Sequence, residues 1–484
     1  MEHPLIGRDR EIKIFNKLLN AHSSSFLAIY GRRRVGKTYL IREYFKSHIG
    51  FSFTGSFEQA TKVQLDHFFR EYLSQTKGKK ETSLPKNWNV AFEYLADYLY
   101  TLGNRKKKTV VFIDELPWLD RPKSGFVAAL EYFWNHHVSN MDHIVLVVCG
   151  SAASWMQQKL LKAKGGLYNR ITHRIKLEPF NLNETERFIK SKKLKLSKYQ
   201  IIQLYMVMGG IPFYLNELTQ GKSAEQLINE ICFTKTGLLS DEYDQLYYSL
   251  FKKAEKHMAI IEALASKPYG MTRAEIIVKS KLAEGGTINR TLKDLHESGF
   301  IAQYLPFNKK KKDTIYKLID FYSLFYLKFI KNNISDNGLI WQKLAKGSRF
   351  KAWSGYAYEN ICMIHKEQIL MKLGLAGTFT QVSSWKHHGN EDFPGAQIDM
   401  LIDRKDGIVN LCEVKFTEKE FIISKAYHTQ LRQKRAVFEH ITKTKKSVVT
   451  SLITTYPAIK NKYYLEEIHS EVVMDNLFKN QLET

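Results

Sequence analysis

An α/β protein of several domains is what this sequence predicts, and three stretches carry the prediction. The first is GRRRVGKT, Gly31 to Thr38, set between the apolar run Phe26–Tyr30 and an amphipathic segment. The second is TVVFIDEL, an apolar run that closes on Asp114 and Glu115. The third is PGAQIDMLIDRKDGIVNLCEVKF, two strand-like runs joined at Lys405-Asp406-Gly407. Short apolar runs next to turn signals read as buried strands, and the third stretch reads as a hairpin.

The chain has 484 residues, more than one core accommodates, so roughly two to four domains are expected. Composition is that of a globular protein, 44% hydrophobic and 25% charged, which excludes a disordered or fibrous chain. The 73 Lys+Arg outnumber the 49 Asp+Glu, for a formal net charge of +24. Such a surplus points to a polyanion, nucleic acid before an anionic membrane. Cys149, Cys232, Cys362 and Cys412 lie far apart with no CxxC pair, so neither a zinc knuckle nor a disulfide framework is implied. MEHPLIGRDREI does not read as a signal peptide, and no apolar run approaches a membrane span. A cytoplasmic location without a membrane partner is the expectation.

The loop at Gly31–Thr38 has the spacing G-x-x-x-x-G-K-[ST] in strand–loop–helix context. That is the pattern of a P-loop, with backbone N–H groups from Gly31 to Gly36 facing phosphate. Lys37 is expected to reach the β- and γ-phosphates of ATP, and Thr38 to offer its hydroxyl to Mg²⁺. Arg32, Arg33, Arg34 and Val35 fill the loop. Backbone and Lys37 suffice for the phosphates, so the arginines are expected to add positive potential. They are also expected to point outward, to another domain, subunit or nucleic acid.

TVVFIDEL supplies the acidic half of such a site. Asp114 is expected to hold Mg²⁺ and Glu115 to polarise the attacking water. A third strand, HIVLVVC, ends at Gly150-Ser151; Ser151 is either a γ-phosphate sensor or an ordinary helix N-cap. In GGLYNRITHRIKLEPF, Arg170 is the candidate arginine acting on a neighbouring copy's nucleotide, with Arg174 second.

PLIGRDREI, YGRRRVGKT, FIDELPWL, CGSAASWM, LYNRITHRIKLEPF and GGIPFYL recur in this order in the archaeal-type predicted ATPases, which belong to the STAND branch of AAA+-like proteins. The first half of the chain resembles them. The resemblance implies that Ile6-Gly7-Arg8 sits beside the adenine and that Gly209–Pro212 belongs to a helical lid over the nucleotide.

After an ATPase domain over residues 1–180, leucines and isoleucines at three- and four-residue spacing predict a helical lid over 181–252. Residues 253–320 then read as three helices and a hairpin, a winged helix. Thr272 and Glu275 are spaced as a capping box on the second helix. Asn289, Arg290 and Lys293 on the third helix are candidates for the DNA major groove, and Lys309–Lys312 at the wing tip for phosphates. A spacer or protein-contact role is the alternative.

Residues 321–484 are expected to form a second α/β domain. Alternation puts Glu413 and Lys415 on one strand face, opposite Cys412 and Val414. Asp399 on the neighbouring strand and Glu413 make a hard oxygen site for Mg²⁺ or Mn²⁺, with Glu359 from a helix completing the shell directly or through water. Lys415 is the residue to orient water or neutralise the phosphate. This pattern resembles the PD-(D/E)xK superfamily, the restriction-endonuclease-like fold; Ile398 stands where the motif's proline is usual. The helix AYHTQLRQKRAVFE fits the resemblance, and Gln430 and Lys434 on it are candidates to approach either the DNA backbone or the site.

The expected function is therefore ATP binding and hydrolysis by a DNA-engaging protein, possible as a homo-oligomer, with a C-terminal metal-dependent phosphodiester-cleaving site. The alternative is a STAND-type regulatory switch in which the winged helix and nuclease-like domain only bind DNA or protein.

Overall fold

The first strand forms where an apolar run permits it: Phe26–Tyr30 has no charged residue and is buried along its length. The computed structural model describes residues 5–76, 83–103, 107–161, 167, 169–333 and 340–480. Gly165, Gly166 and Tyr168 of the GGLYNRITHRIKLEPF segment lie outside them. The chain divides into two units. The first is Met1–Pro179 with Tyr248–Lys252 and Lys293–Gly299, and the second is Phe180–Tyr247, Lys253–Leu292 and Phe300–Thr484.

In the first unit α1 (Asp9–Leu19) leads into β1 (Ser25–Tyr30) and α2 (Lys37–Phe45). β2 (Ile49–Thr54), α3 (Thr61–Thr76), α4 (Trp88–Thr101), β3 (Thr109–Asp114), α5 (Phe126–His136), β4 (Ile144–Gly150) and β5 (His173–Lys176) follow. The strands form one parallel sheet in the order β2-β3-β4-β1-β5. β1, β3 and β4 are buried on both faces, as near-continuous apolar runs in a parallel sheet must be. One face packs on Trp88, Phe92, Phe126 and Phe133 of α4 and α5, with Phe92 and Phe133 stacked at 4.9 Å. The carboxyl ends of β1 and β3 therefore carry the P-loop and the acid pair, the usual ligand edge of an open α/β sheet.

The second unit begins with α6 (Leu182–Ser191), α7 (Lys198–Met208) and α8 (Ala224–Phe233), each opened by a capping box: Asn181/Glu184, Ser197/Gln200 and Ser223/Gln226. α7 ends at Gly209 with φ 63°, and Gly210 follows at φ 67°, where a Cβ would strike the Phe180 carbonyl. α9 (Ala254–Ala265), β6 (Met271–Thr272), α10 (Arg273–Ser280), α11 (Gly286–Glu297), β7 (Ile301–Tyr304) and β8 (Ile315–Leu318) come next, the part of α11 from Lys293 on being assigned to the first unit. Thr272 and Glu275 form the expected capping box at the start of α10. The three strands make a small antiparallel sheet, β6-β8-β7.

α12 (Ser348–Ile364) then precedes a five-stranded mixed sheet, β13-β12-β11-β10-β9. Its strands are β9 (Thr380–His387), β10 (Ala396–Arg404), β11 (Ile408–Lys415), β12 (Ser447–Thr454) and β13 (Ile468–Val473). β9, β10 and β11 form an antiparallel meander, and α13 (Lys425–Thr442) crosses over to β12, parallel to β11. Phe307, from the turn after β7, is part of the core under this sheet, its ring 5.4 Å from Phe438 of α13. All four cysteines are free and buried.

Candidate functional site

The first candidate site lies at the carboxyl ends of β1 and β3. Gly31 has φ 152°, and a Cβ there would strike the Leu177 carbonyl oxygen, so the loop needs glycine at its entry. Gly36 at φ 88° turns the chain into α2. The Lys37 ammonium donates to the Gly31 and Arg32 carbonyls at 2.9 and 2.8 Å. An ammonium has three donors, so a phosphate oxygen is the natural acceptor for the third. Thr38 Oγ1 donates to Asp114 Oδ2 at 2.7 Å across 76 residues of sequence. These two oxygens are hard donors side by side and fit Mg²⁺.

Glu115 follows with φ 48°, a left-handed conformation uncommon outside glycine and suited to aiming a side chain. Its Oε2 accepts the Ser151 backbone N–H at 3.1 Å and the Ser151 hydroxyl at 2.8 Å. Burial pushes the Glu115 carboxyl above its ordinary range, opposed by the nearby Lys37 charge and the Ser151 bonds. Ser151 is thus a support for Glu115.

The arginine triplet divides. Arg32 is buried at 5% exposure, which takes it out of reach of a separate subunit or nucleic acid. Arg33 and Arg34 are half-buried, and Arg34 has φ 72°. Arg170 and Arg174 are exposed. Arg8 belongs to the Ile6-Gly7-Arg8 stretch that the resemblance sets beside the adenine, but its contacts to the loop are what motif reading missed. Buried beside the loop, it donates to the Val35 carbonyl at 3.0 Å and the Glu178 carbonyl at 2.7 Å, clamping the loop's backbone.

The second candidate site lies on β10 and β11, within the second unit. Asp399 stands one step beyond the paired residues Met400 and Cys412, so it neighbours Glu413 across the hairpin. Its Oδ2 accepts the Val414 N–H at 3.1 Å. Lys415 donates to Glu413 at 2.8 Å, and Lys434 from α13 reaches both Glu413 oxygens at 2.9 and 2.8 Å. Glu359 projects from α12, with Lys317 3.8 Å from its Oε2.

Burial and mutual repulsion set the protonation here. Burial, then the Asp399 charge, raises Glu359 to about 7. Burial, then Glu413, raises Asp399. Burial acts the same way on Glu413, but Lys415 and Lys434 outweigh it and hold Glu413 low. The arrangement is a buried acid–base cluster with one firmly ionised carboxylate.

Among the described residues no three His, Cys, Asp or Glu side chains are grouped to hold a metal ion. The expected three-carboxylate shell is therefore not assembled, and Glu359 is held instead by Lys317. Asp399 and Glu413 are adjacent oxygen donors and fit a hard cation as a pair. Gln430 is exposed on α13 and Lys434 touches the cluster. Asn289, Arg290, Lys293 and Lys309–Lys312 are exposed; Asn289 accepts from Arg273 at 2.8 Å.

Residues 5–218 match the model of an ATPase domain found predominantly in Archaea. That stretch is an ATPase domain of the P-loop type, and it contains the whole first site. An uncharacterized protein of Methanocaldococcus jannaschii is 25% identical over 89% of this chain and 92% of its own length. An uncharacterized ATP-binding protein of Pyrococcus abyssi is 22% identical over 59% of this chain and 94% of its own. A solved Walker-type ATPase of Pyrococcus abyssi aligns with a TM-score of 0.46 and 17% identity, over 67% of this chain and 96% of that one. No helix among the described residues is long and apolar enough to cross a membrane.

Proposed function

We propose that this chain is an ATP-hydrolysing, DNA-engaging protein of STAND type whose C-terminal half cleaves phosphodiesters. The observation that carries the second activity is the Asp399–Glu413–Lys415 cluster, where Lys415 lies 2.8 Å from Glu413 on a strand end beside Asp399. An ion pair between Glu413 and Lys415 needs no second carboxylate beside it; a cation site does. The order helix, three-stranded meander, helix, parallel strand also supports a restriction-endonuclease-like domain.

At the first site Lys37 and the loop N–H groups bind ATP phosphates, and Thr38 and Asp114 hold Mg²⁺. Glu115, kept in place by Ser151, orients the attacking water. Exposed Arg170 acts on the nucleotide of a neighbouring copy in a homo-oligomer.

At the second site a divalent cation, Mg²⁺ or Mn²⁺, held by Asp399 and Glu413 would polarise the phosphodiester. Lys415 would orient the water or neutralise the negative charge that grows on the phosphoryl oxygens. Lys434 keeps Glu413 ionised. The helices α9–α11 and the sheet β6-β8-β7 are read as a winged helix that presents Asn289, Arg290 and Lys293 to the major groove and Lys309–Lys312 to phosphates.

A second reading has a specific observation in its favour: two lysines already satisfy Glu413, so the domain can be a binding module and the ATPase a regulatory switch. Glu413→Ala and Lys415→Ala variants, assayed separately for DNA binding and for cutting, divide the two. Cutting lost with binding kept supports cleavage. No cutting in any form, with ATP hydrolysis intact, supports the switch.

A further inference from the structure

Three lysines pair with carboxylates on and beside the β10–β11 hairpin. Lys415 and Lys434 both bind Glu413. The third lysine, Lys317, comes from outside the mixed sheet. It lies on β8, in the three-stranded sheet, 42 residues before Glu359. Its side chain is 10% exposed and that of Glu359 is 11% exposed, with 3.8 Å between ammonium and carboxylate. A lysine so buried is rare unless paired.

The strand that delivers it is fixed on both sides. Asn360, next to Glu359 on α12, donates to the Leu318 carbonyl at 3.2 Å. Ser384 of β9 donates to the Tyr304 hydroxyl of β7 at 3.0 Å. Phe307, after β7, is built into the core under the mixed sheet. The three-stranded sheet is therefore anchored to this domain, and Lys317 has a set position in its carboxylate cluster.

We propose that Lys317 is a positioning residue of this site: it is the resident counter-ion of Glu359 and holds back a divalent cation until a phosphodiester brings compensating negative charge. The inference rests on reading Asp399 and Glu413 as cation ligands. Its physics is simple. With Lys317 in place, three ammonium groups stand against the carboxyl groups, so an entering dication meets added positive charge. A phosphate restores the attraction. Without the ammonium, the dication meets an uncompensated buried carboxylate.

The test is Mn²⁺ binding to the full-length, nucleotide-free protein, followed by electron paramagnetic resonance of free Mn²⁺. An Asp399→Asn/Glu413→Gln variant defines binding elsewhere, including at Thr38 and Asp114. Lys317→Met is expected to tighten the site about tenfold without DNA. Glu359→Gln, which strips the ammonium of its carboxylate, is expected to weaken it by a similar factor. Lys317→Met/Glu359→Gln is expected to return near the wild-type value, which simple loss of packing would not do. A short DNA duplex is expected to tighten Mn²⁺ in the wild type more than in Lys317→Met.

Unchanged or weaker binding in Lys317→Met overturns the proposal, as does a gain that persists in the Asp399→Asn/Glu413→Gln background. Should Lys317→Met not fold, Glu359→Gln decides, and unchanged affinity there overturns it. Cleavage is scored apart. The expected Mn²⁺ pattern without any cutting sinks the nuclease reading and leaves this one standing. Cutting with a flat Mn²⁺ response does the reverse.

Discussion

Ser151 gives both its backbone N–H and its hydroxyl to one oxygen of Glu115, at 3.1 and 2.8 Å. The end of one strand thereby fixes the acid at the end of its neighbour, and that acid sits in an uncommon backbone conformation. Glu115→Gln is expected to keep ATP affinity and lose roughly 10²–10⁴-fold in turnover, the range of a general base. Ser151→Ala is expected to lose about tenfold in kcat with little change in nucleotide Kd. Steady-state hydrolysis beside equilibrium nucleotide binding checks both. A Ser151→Ala defect confined to affinity would return Ser151 to the phosphate-sensor role.

The arginine triplet yields a split outcome. Arg33→Ala/Arg34→Ala is expected to leave nucleotide binding intact, since backbone and Lys37 do that work. Arg32→Ala empties a buried position and is expected to cost about 1–3 kcal/mol of stability. Thermal melts with and without ATP separate the two variants; equal Tm values would contradict the assignment.

These two cases show what the sequence carries and what it does not. Gly31, Lys37, Thr38, Asp114 and Glu115 are legible because each belongs to a contiguous motif whose spacing is its function. Ser151 is visible as a residue, but its partner is not. Arg8 closes on the Val35 carbonyl across 27 residues, and Lys317 reaches Glu359 from another sheet. Nothing in local periodicity encodes such meetings, since they come from tertiary packing. The burial of Arg32 was missed for the same reason. The hairpin of β10 and β11 was legible through its turn and alternation. The third lysine on that site was not.

His365 makes stability depend on acid. It is fully buried, its Nδ1 donating to the Ile361 carbonyl at 2.8 Å and its Nε2 accepting the Leu182 N–H at 3.0 Å. Burial lowers its pKa from 6.5 to about 4. The unfolded chain therefore binds the proton more readily, and stability is full above about pH 6.5 and lost as pH falls towards 4. Linkage puts the loss on the order of 3 kcal/mol. Denaturant melts of wild type and His365→Gln across that window check it; the variant is expected to show a shallower decline from a lower start.

The basic turn Lys309–Lys312 is exposed and is expected to meet phosphates. Replacing the four lysines with alanine should weaken DNA of any sequence alike. Each lost contact should flatten the slope of log K against log salt by about 0.9. Binding isotherms at several salt concentrations read this directly, and an unchanged slope would assign the turn to solvent.

The nuclease reading stands or falls on cleavage of end-labelled single- and double-stranded DNA by the full chain, with Mg²⁺ or Mn²⁺ and with or without ATP, beside Glu413→Gln. The expected result is metal-dependent cutting that Glu413→Gln abolishes while ATP hydrolysis persists. Intact DNA under every condition, from protein that still hydrolyses ATP, would contradict it.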